Sequence, residues 1–509
     1  MTSLLAGKFN SQTLARDFTA SIVVFLVAMP LCMGIAIASG VPPEKGLITG
    51  IIGGIVVGLF AGSPLQVSGP AAGLAVLVFE FVTEHGLSAL GPLLVLAGLI
   101  QLVAGALKLG GLFRSISPAV VHGMLAGIGA LIVVGQYHIL FDSKPLPSGL
   151  QNLAAMPGQL LGLQPTNLRA TEFALLIGIV TIVVMLGWEK LRPKSLKLVP
   201  GALLGVVAAT LIAVGFNLDV ARIEVPSSIV GAIAAPAEGF LGQMMQPWMI
   251  LTALAIAFIA SAETLLSAAA VDRMHDGVRT DYNKELRAQG IGNLLCGFAG
   301  ALPMTGVIVR SSANVQAGAV TRLSTILHGV WILGFIALLP WLLREIPMAA
   351  LGAILVVTGW RLVSLTHVRH LFDNYGLLPA AIWAATFILV VTTDLLTGVI
   401  VGLLLSLLEL IPHARSLKLK VNEVHEEDRT RIVVDGAATF VGLTRLTNVL
   451  ERAPQDRLVK LDLHRVKGID HTTAEMIREW LARRRSAGHA VDLVGSEEIV
   501  GRFAHANAH

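Results

Sequence analysis

Residues Ala299–Gly318 read AGALPMTGVIVRSSANVQAG, an interrupted stretch set among long apolar segments. Pro303 and Gly306 break helical structure, the β-branched run 307–309 favours extended backbone, and Arg310 then opens a helix of small residues. Irregular backbone at membrane depth persists only where protein or a water-filled cavity covers it. A helix that begins inside the bilayer points its free N–H groups at one spot, which suits an anion. Because a buried arginine in a membrane is usually functional, this stretch predicts an anion-binding site.

An earlier stretch, Ala61–Gly73, has the same outline and reads AGSPLQVSGPAAG. It starts with Ala-Gly and continues into a short β-like piece, after which Gly69 and Pro70 are expected to open a helix. Two interrupted segments in corresponding places of two halves are the best sequence indication of a transporter's binding site. The alternative is a pair of re-entrant loops that have only a packing role.

The composition is that of a polytopic membrane protein. Hydrophobic residues make up 54% of the 509 residues and charged residues 14%, with a mean hydropathy of +0.76, and no soluble fold could bury that much apolar surface. Charge becomes dense from about residue 417, which predicts a soluble tail. The net charge of +4 is attributed to basic cytoplasmic loops and not to nucleic-acid binding. Cys32 and Cys296 indicate small buried residues and no disulfide.

Fourteen apolar or small-residue segments follow a predicted cytoplasmic lead at residues 1–18. They are expected at 19–40, 46–62, 69–84, 89–108, 118–140, 171–188, 198–216, 248–270, 286–301, 308–319, 323–343, 347–363, 378–393 and 395–412. Several are shorter than the ~20 residues of a full crossing. Loops after even-numbered segments are the basic ones, so both termini are expected in the cytoplasm. A proline-containing insert at 217–247 separates the first seven segments from the last seven.

The tail is predicted to form a separate α/β domain. Residues 431–434, 458–463 and 491–494 have the pattern of strands, and residues 442–453 and 472–487 that of helices. A helix between successive strands favours a parallel or mixed sheet. Asp470, or a threonine next to His471, is expected to cap the second helix, in preference to phosphorylation of Thr472.

Several blocks of sequence resemble the sulfate permease, or solute carrier 26, family of anion transporters. They are PLCMGIAIASGVPP from Pro30, GPAAG from Gly69, AETLLS from Ala262, NKELRAQGIGN from Asn283 and PMTGVIVRS from Pro303. The block LDLHRVKGIDHTTA from Leu461 is similar to a STAS domain, the cytoplasmic module of these transporters. The resemblance covers nearly the whole chain, and its specificity comes from the order and spacing of the blocks.

This resemblance implies a fourteen-segment membrane domain at 19–412, built as an inverted repeat of seven plus seven segments. The repeats would be 19–216 and 248–412, a linker would occupy 413–421, and the STAS domain 422–505. Segments 1–4 and 8–11 would form a core domain and the others a gate domain. The family implies an elevator-type movement of core against gate, a homodimer, and a cytoplasmic regulatory partner for the STAS domain.

The resemblance places Arg310 beside the anion, with backbone N–H groups from Val309 and Ser311 and the hydroxyl of Ser311. A structural salt bridge is the alternative role for Arg310. The matching place on segment three carries Gly69, Pro70, Ala71 and Ala72, acting mainly through backbone. Segment one departs from the family, because Leu31 and Ile35 replace a glutamine and an aromatic residue. This departure predicts a less polar, roomier pocket, which favours a carboxylate or bicarbonate over sulfate.

Glu263 lies in the middle of segment eight, where a carboxylate would pair with Arg310, hold a coupling cation or carry a proton. Ser267 shares its helical face one turn later. In sodium-coupled relatives these two positions look like cation ligands, so a sodium site at Glu263 and Ser267 is the alternative to proton coupling. No other metal and no cofactor is expected.

The sequence therefore predicts a multi-pass inner-membrane protein that carries out secondary active transport of a small anion. The substrate would be a dicarboxylate such as fumarate, bicarbonate or sulfate, with proton symport preferred. Alternatives are sodium-coupled bicarbonate symport, anion exchange, an anion channel, a nucleobase permease of related fold, and a regulatory scaffold acting through the tail. An enzyme is not expected, since the tail assembles no nucleophile, base and oxyanion site and has no phosphate-binding loop.

Overall fold

The structure, a computed structural model, describes most of the chain. The described residues are 11–113, 117–146, 148–161, 168–196, 198–224, 231–233, 239–272, 274–275, 277–408, 419–425, 429–454, 457–486, 488–496, 499–500 and 503. The chain divides into two compact units, Met1–Gly110 with Ile128–Val363 and Gly111–Gly127 with Ser364–His509. Predictions for residues 1–10, 413–418 and much of 225–238 lie outside the described residues.

Helices dominate the part of the chain before residue 409. In chain order they are α1 (Ser11–Ala38), α2 (Pro43–Ile51), α3 (Gly58–Phe60), α4 (Ala75–His85), α5 (Leu90–Ala106), α6 (Gly110–Phe113), α7 (Pro118–Leu140), α8 (Gly149–Leu160), α9 (Leu168–Leu191), α10 (Gly201–Gly215), α11 (Phe240–Met244), α12 (Pro247–Asp272), α13 (Tyr282–Phe298), α14 (Ile308–Gln316), α15 (Leu323–Leu338), α16 (Pro340–Leu343), α17 (Met348–Leu362), α18 (Leu365–Tyr375), α19 (Leu377–Thr392) and α20 (Leu395–Ser406). A π-helix, Ile52–Val57, joins α2 to α3, and 3₁₀ turns occupy Ala72–Leu74, Leu87–Ala89 and Lys194–Leu196.

Each of the fourteen predicted segments coincides with a helix or half-helix in this order. Among the described residues, six helical stretches are long and apolar enough to cross a membrane: Ser11–Ala38, Pro43–Phe60, Leu87–Ala106, Pro118–Leu140, Ala170–Leu191 and Pro247–Asp272. Five further apolar helices are shorter. The number of crossings therefore stays a prediction. Four helices that the hydropathy pattern did not indicate, α6, α8, α11 and α18, lie between predicted segments in the described part of the chain.

The first helix begins at Ser11, eight residues earlier than the predicted segment start at residue 19. The reason is a set of contacts made by the polar residues of its first turns. Asp17 is buried and accepts hydrogen bonds from the backbone N–H groups of Val320 (2.7 Å) and Thr321 (3.1 Å), and Arg16 donates to the carbonyl of Gly318 (3.0 Å). Residues 11–18 are therefore helical and continuous with the first segment, and the cytoplasmic lead at residues 1–18 stays a prediction.

The two interrupted segments meet in a small antiparallel ribbon. Strand β1 (Ser68–Pro70) pairs with β2 (Met304–Gly306), so that Ser68 faces Gly306 and Pro70 faces Met304. Both segments were expected to contain a β-like piece, and both do.

The helix start after β1 differs from the predicted segment, and α14 starts at the first residue of the predicted segment 308–319 but before Arg310, which was expected to open the helix. Gly69 and Pro70 lie in the strand, and helical structure resumes only with the 3₁₀ turn at Ala72. Helix α14 begins at Ile308, two residues before Arg310, because strand pairing ends at Gly306. A β-branched residue such as Ile308 or Val309 lowers helix stability by only a fraction of a kcal/mol, so tertiary contacts readily override its preference for extended backbone.

Helix α13 supplies the hydrogen bonds that the irregular backbone lacks. Glu285, Gln289 and Asn293 lie four residues apart on one helical face and are all fully buried. Glu285 accepts from the backbone N–H groups of residues 62 and 63, Gln289 donates to the Ser68 hydroxyl, and Asn293 bonds both backbone groups of Met304. These bonds explain how non-helical backbone survives at this depth.

The tail contains β3 (Lys420–His425), β4 (Arg429–Ala438), α21 (Leu443–Arg452), β5 (Leu458–Ile469), α22 (His471–Ser486) and β6 (Val491–Val494), with a 3₁₀ turn at Phe440–Gly442. The sheet order is β3-β4-β5-β6; β3 is antiparallel to β4, and the other pairs are parallel. This mixed sheet confirms the prediction from the strand and helix order. Its core includes Ile432, Leu461 and Ile477.

Asp470 caps helix α22, as predicted. Its carboxylate accepts hydrogen bonds from the backbone N–H groups of Thr473 (2.8 Å) and Phe440 (2.6 Å). Thr472 is 4% exposed, which leaves its hydroxyl inaccessible to a modifying enzyme in this fold. The cap therefore explains the sequence pattern after Ile469.

Candidate anion-binding site

The ribbon of β1 and β2 sets the positions of two helix starts. Because the strands are antiparallel, the 3₁₀ turn at Ala72–Leu74 follows one end of the ribbon and α14 follows the other end. Three paired residues separate these ends by about 7 Å along the strands. Both helix starts therefore lie close to one small region, as expected from the interrupted sequences.

The start of α14 presents backbone donors. The backbone N–H groups of Ile308, Val309 and Arg310 precede the first hydrogen bond of the helix, which Ser311 donates to the carbonyl of Val307 (3.0 Å). Within the described residues, these three N–H groups have no hydrogen-bond partner. They are the donors that a helix start offers to an anion.

Arg310 is fully buried, with an exposure of 0%. Its three guanidinium nitrogens have no hydrogen-bond partner, and no carboxylate forms an ion pair with it, in the part of the chain that the structure describes. A Cβ atom on Gly69 would lie 2.0 Å from Nη1, so the guanidinium approaches the strand where a glycine leaves room. The Cys32 thiol of α1 lies beside it. A salt bridge that would give Arg310 a purely structural role therefore has no described partner.

The carboxyl group of Glu263 lies at the other helix start and not beside the Arg310 guanidinium. Its carboxyl group faces the backbone of Gly73 and the hydroxyl of Thr305, and a Cβ atom on Gly73 would lie 2.8 Å from Oε2. The predicted pairing of Glu263 with Arg310 is absent. Ser267, one turn later on α12, is buried, and the residues described hold no group of three or more His, Cys, Asp or Glu that suits a metal ion. A sodium site at Glu263 and Ser267 stays a prediction.

Helix α12 also holds the ribbon in place. The Thr264 hydroxyl accepts from the Gly306 backbone N–H (3.0 Å), and the Thr264 carbonyl accepts from the Gln66 side chain (2.9 Å). Glu263 is thereby fixed next to both interrupted segments, since its neighbour binds both of them.

Two predicted ligands are already engaged in the protein. The Ser311 hydroxyl accepts from the Val67 backbone N–H (2.9 Å) and donates to the Val307 carbonyl (2.7 Å), and its own N–H is the first donor of α14. The Ala71 N–H donates to the Pro303 carbonyl (3.0 Å). Ser311 and Ala71 therefore join the two segments through their donors, whereas Val309 and Ala72 have no described partner for theirs. Which of these residues bind an anion stays a prediction.

Two further predicted positions, Leu31 and Ile35, lie on α1, and their place at the site stays a prediction. Leu31 and Ile35 are buried in α1, at 6% and 4% exposure, on either side of Cys32 in sequence. The sequence assigned Cys32, which lies beside Arg310, only a packing role. A single cysteine in an apolar helix carries no pattern that distinguishes packing from a place at a site, so the sequence offered no signal.

Comparison with known proteins identifies the family. Residues 14–386 match the model of the sulfate permease family. The putative sulfate transporter YvdB of Bacillus subtilis is 34% identical over 402 residues, covering 78% of this chain and 74% of that protein. The bicarbonate transporter BicA of Picosynechococcus is 26% identical over 444 residues, covering 83% of this chain and 75% of that protein.

A solved structure extends the likeness to the tail. The structure of SLC26A9 superposes with a TM-score of 0.71 at 17% identity and covers 99% of this chain and 88% of that one. At this identity the match shows the fold, a helical transport domain followed by an α/β domain consistent with STAS. The chain is a multi-pass membrane transporter and not an enzyme, and it belongs to the sulfate permease family.

Proposed function

We propose that the protein is a secondary active transporter of a small anion, driven by protons. The anion binds between the starts of α14 and the helical run 72–85, with Arg310 supplying the positive charge. The observation that carries this proposal is the buried guanidinium without a described partner beside three unused backbone N–H groups. An isolated buried charge costs several kcal/mol, so this arrangement is stable with an anion as its counterion.

The contact of Glu263 with the Gly73 backbone supports proton coupling. A negative carboxylate at this helix start competes with an incoming anion for the same N–H groups and repels it. Protonation of Glu263 removes both obstacles, so that proton and anion bind together. A sodium ion held by Glu263 and Ser267 would neutralise the carboxylate in the same way, which makes sodium symport the second candidate.

The substrate proposed is a dicarboxylate such as fumarate, bicarbonate or sulfate. We place Leu31 and Ile35 on the α1 side of the site, where apolar side chains favour a carboxylate or bicarbonate over an anion that needs hydrogen bonds on every oxygen. The name of the relative BicA supports bicarbonate, and that of YvdB supports sulfate. An elevator movement, a homodimer, an inner-membrane location with both termini in the cytoplasm, and a regulatory partner of the tail belong to the same proposal.

The test is uptake of radiolabelled fumarate, bicarbonate, sulfate and chloride by proteoliposomes under separate proton and sodium gradients. Accumulation of one anion under a proton gradient alone supports the proposal, and accumulation that needs sodium selects the second candidate. Uptake that never saturates and carries large currents would instead indicate a channel. Loss of saturable uptake in Arg310→Ala ties the transport to this site.

A further inference from the structure

The segment that follows α10 pairs with the loop that precedes α17. The backbone N–H of Ile223 donates to the carbonyl of Ile346 (3.1 Å), and the N–H of Met348 donates to the carbonyl of Ala221 (2.8 Å). Two bonds in this arrangement are the pattern of an antiparallel ladder. Two stretches that lie far apart in sequence are therefore joined through their backbones.

The bridged pair at the centre of this ladder is Arg222 and Pro347. The guanidinium of Arg222 reaches along the ladder to Glu345, and Nη1 forms an ion pair with that carboxylate. Both charged side chains are partly exposed, whereas the neighbouring Ile223 and Ile346 are buried at 3% and 6% exposure. The ladder thus has an apolar side that packs into the protein and a charged side that faces outward.

Residues 221–223 and 345–348 together form what we name the connector joint. Helix α10 ends shortly before the joint at Gly215, and α17 begins within it at Met348. Both of these helices belong to the predicted gate. Beyond the joint, one chain continues through the rest of the proline-containing insert to α12, and the other runs back through α16 to α15. Since α12 and α15 belong to the predicted core, the joint lies where two connectors leave the gate.

An elevator movement displaces the core relative to the gate, and the connectors must absorb that displacement. Hinges are a few loop or element-terminal residues whose backbone angles change. The joint holds the gate-side ends of both connectors in one place, because each chain is hydrogen-bonded to the other. The change then falls on residues beyond the joint, such as Leu339, where the chain leaves helical geometry between α15 and α16.

We propose that the connector joint is the fixed pivot of the transport movement and stays closed throughout the transport cycle. This inference rests on the proposed function, in which an elevator movement carries the anion. With the joint open, both connectors gain freedom that does not lead the core from one end position to the other, so the conformational step becomes slower. The effect is on Vmax and not on KM, since the joint contributes no residue to the proposed anion-binding site.

Reversal of the charges tests whether the joint is needed. Arg222→Glu and Glu345→Arg each replace the ion pair by two like charges, and we expect each to lower Vmax about threefold with KM within about twofold of the parent. Arg222→Glu combined with Glu345→Arg restores opposite charges and is expected to recover most of the lost rate. Arg361→Glu is the matched control, because the ion pair of Arg361 with Glu189 joins two helices of the predicted gate and no connector. The readout is initial anion uptake in proteoliposomes, with monodisperse protein in equal amounts.

A disulfide distinguishes a closed pivot from a latch that opens. The hydrogen bonds flank the pair of Arg222 and Pro347, and the Cα atoms of such a pair lie about 4.5 Å apart, within the range that a disulfide spans. Arg222→Cys combined with Pro347→Cys can therefore be cross-linked, and the native Cys32 and Cys296 are buried. We expect Vmax about threefold below the parent in the reduced variant, which lacks the ion pair, and within about twofold of the parent after oxidation. Free thiols are counted with a maleimide reagent, and Pro347→Cys alone controls for loss of the proline.

Because one preparation is measured before and after reduction, a folding defect cannot produce the difference. Uptake that is blocked by oxidation and restored by reduction would show that the connectors separate during transport, which overturns the inference. Parent-like Vmax in both charge-reversal variants, or an equal loss in Arg361→Glu, would overturn it as well. The proposed function fails separately, if the parent shows no saturable uptake or if Arg310→Ala leaves uptake intact.

Discussion

At the start of α14, a buried guanidinium stands beside three backbone N–H groups that have no partner in the described residues. At the start of the helical run 72–85, the carboxyl group of Glu263 lies against the Gly73 backbone. The two segments have similar sequences and lie on one ribbon, yet one helix start is positive and the other is already faced by an acid. The difference teaches that single side chains, Arg310 on α14 itself and Glu263 on α12, give two similar helix starts opposite electrostatic surroundings.

The largest expected effect is at the positive helix start. Arg310→Ala removes the charge and the side-chain donors, and we expect saturable uptake to fall about 100-fold or more, the cost of about two charge-assisted hydrogen bonds. Arg310→Lys keeps the charge without the planar fork and is expected to retain part of the activity. Proteoliposome uptake of the preferred anion measures both. Equal uptake by parent and Arg310→Ala would remove α14 from the site.

The next prediction concerns the glycine that lets the guanidinium approach. A Cβ atom in Gly69→Ala would lie 2.0 Å from Nη1 of Arg310, so the guanidinium must move, and we expect KM to rise about tenfold. Gly135→Ala on α7 is the matched control, since a Cβ atom there would have no neighbour within 4 Å. Equal KM values in the two variants, measured by uptake, would show that the guanidinium position beside β1 is unimportant.

At the other helix start the expected effect is on coupling. Glu263→Gln keeps the shape of the side chain but cannot exchange a proton, so downhill anion movement persists while accumulation under a proton gradient is lost. One pH unit drives about tenfold accumulation at one proton per anion, and we expect the variant to equilibrate near unity. Glu84→Gln serves as control, because the Glu84 side chain is 76% exposed. Accumulation by Glu263→Gln equal to that of the control would assign coupling to another group.

The smallest effect on transport is expected where the two segments are joined. Ser311→Ala leaves the buried Val67 N–H without its acceptor, which we expect to lower the free energy of unfolding by about 1–3 kcal/mol. Because the Ser311 hydroxyl and N–H are both engaged, KM should change less than about twofold. Thermal unfolding in detergent and uptake kinetics measure the two quantities. A large rise in KM with unchanged stability would restore Ser311 as a ligand.

The local features of this protein could be predicted from its sequence. The hydropathy pattern indicated the helical segments, Pro303 and Gly306 marked an interruption, and the charge distribution marked the tail. The sequence also singled out Arg310, because a charge in an apolar segment is conspicuous. The sequence could not show that the donors of Ala71 and Ser311 are engaged within the protein. Whether a donor is already used depends on partners far along the chain, such as Pro303 for Ala71.

The sequence alone therefore determined the class of the protein, the two interrupted segments, and Arg310 within the second of them. It could do so because hydrophobicity and backbone preference act over short stretches. The tertiary structure alone decided that Glu263 faces Gly73 and not Arg310, and that the Arg310 guanidinium approaches β1 at Gly69. These relations join residues from different helices, and packing and hydrogen-bond satisfaction across the whole unit fix them.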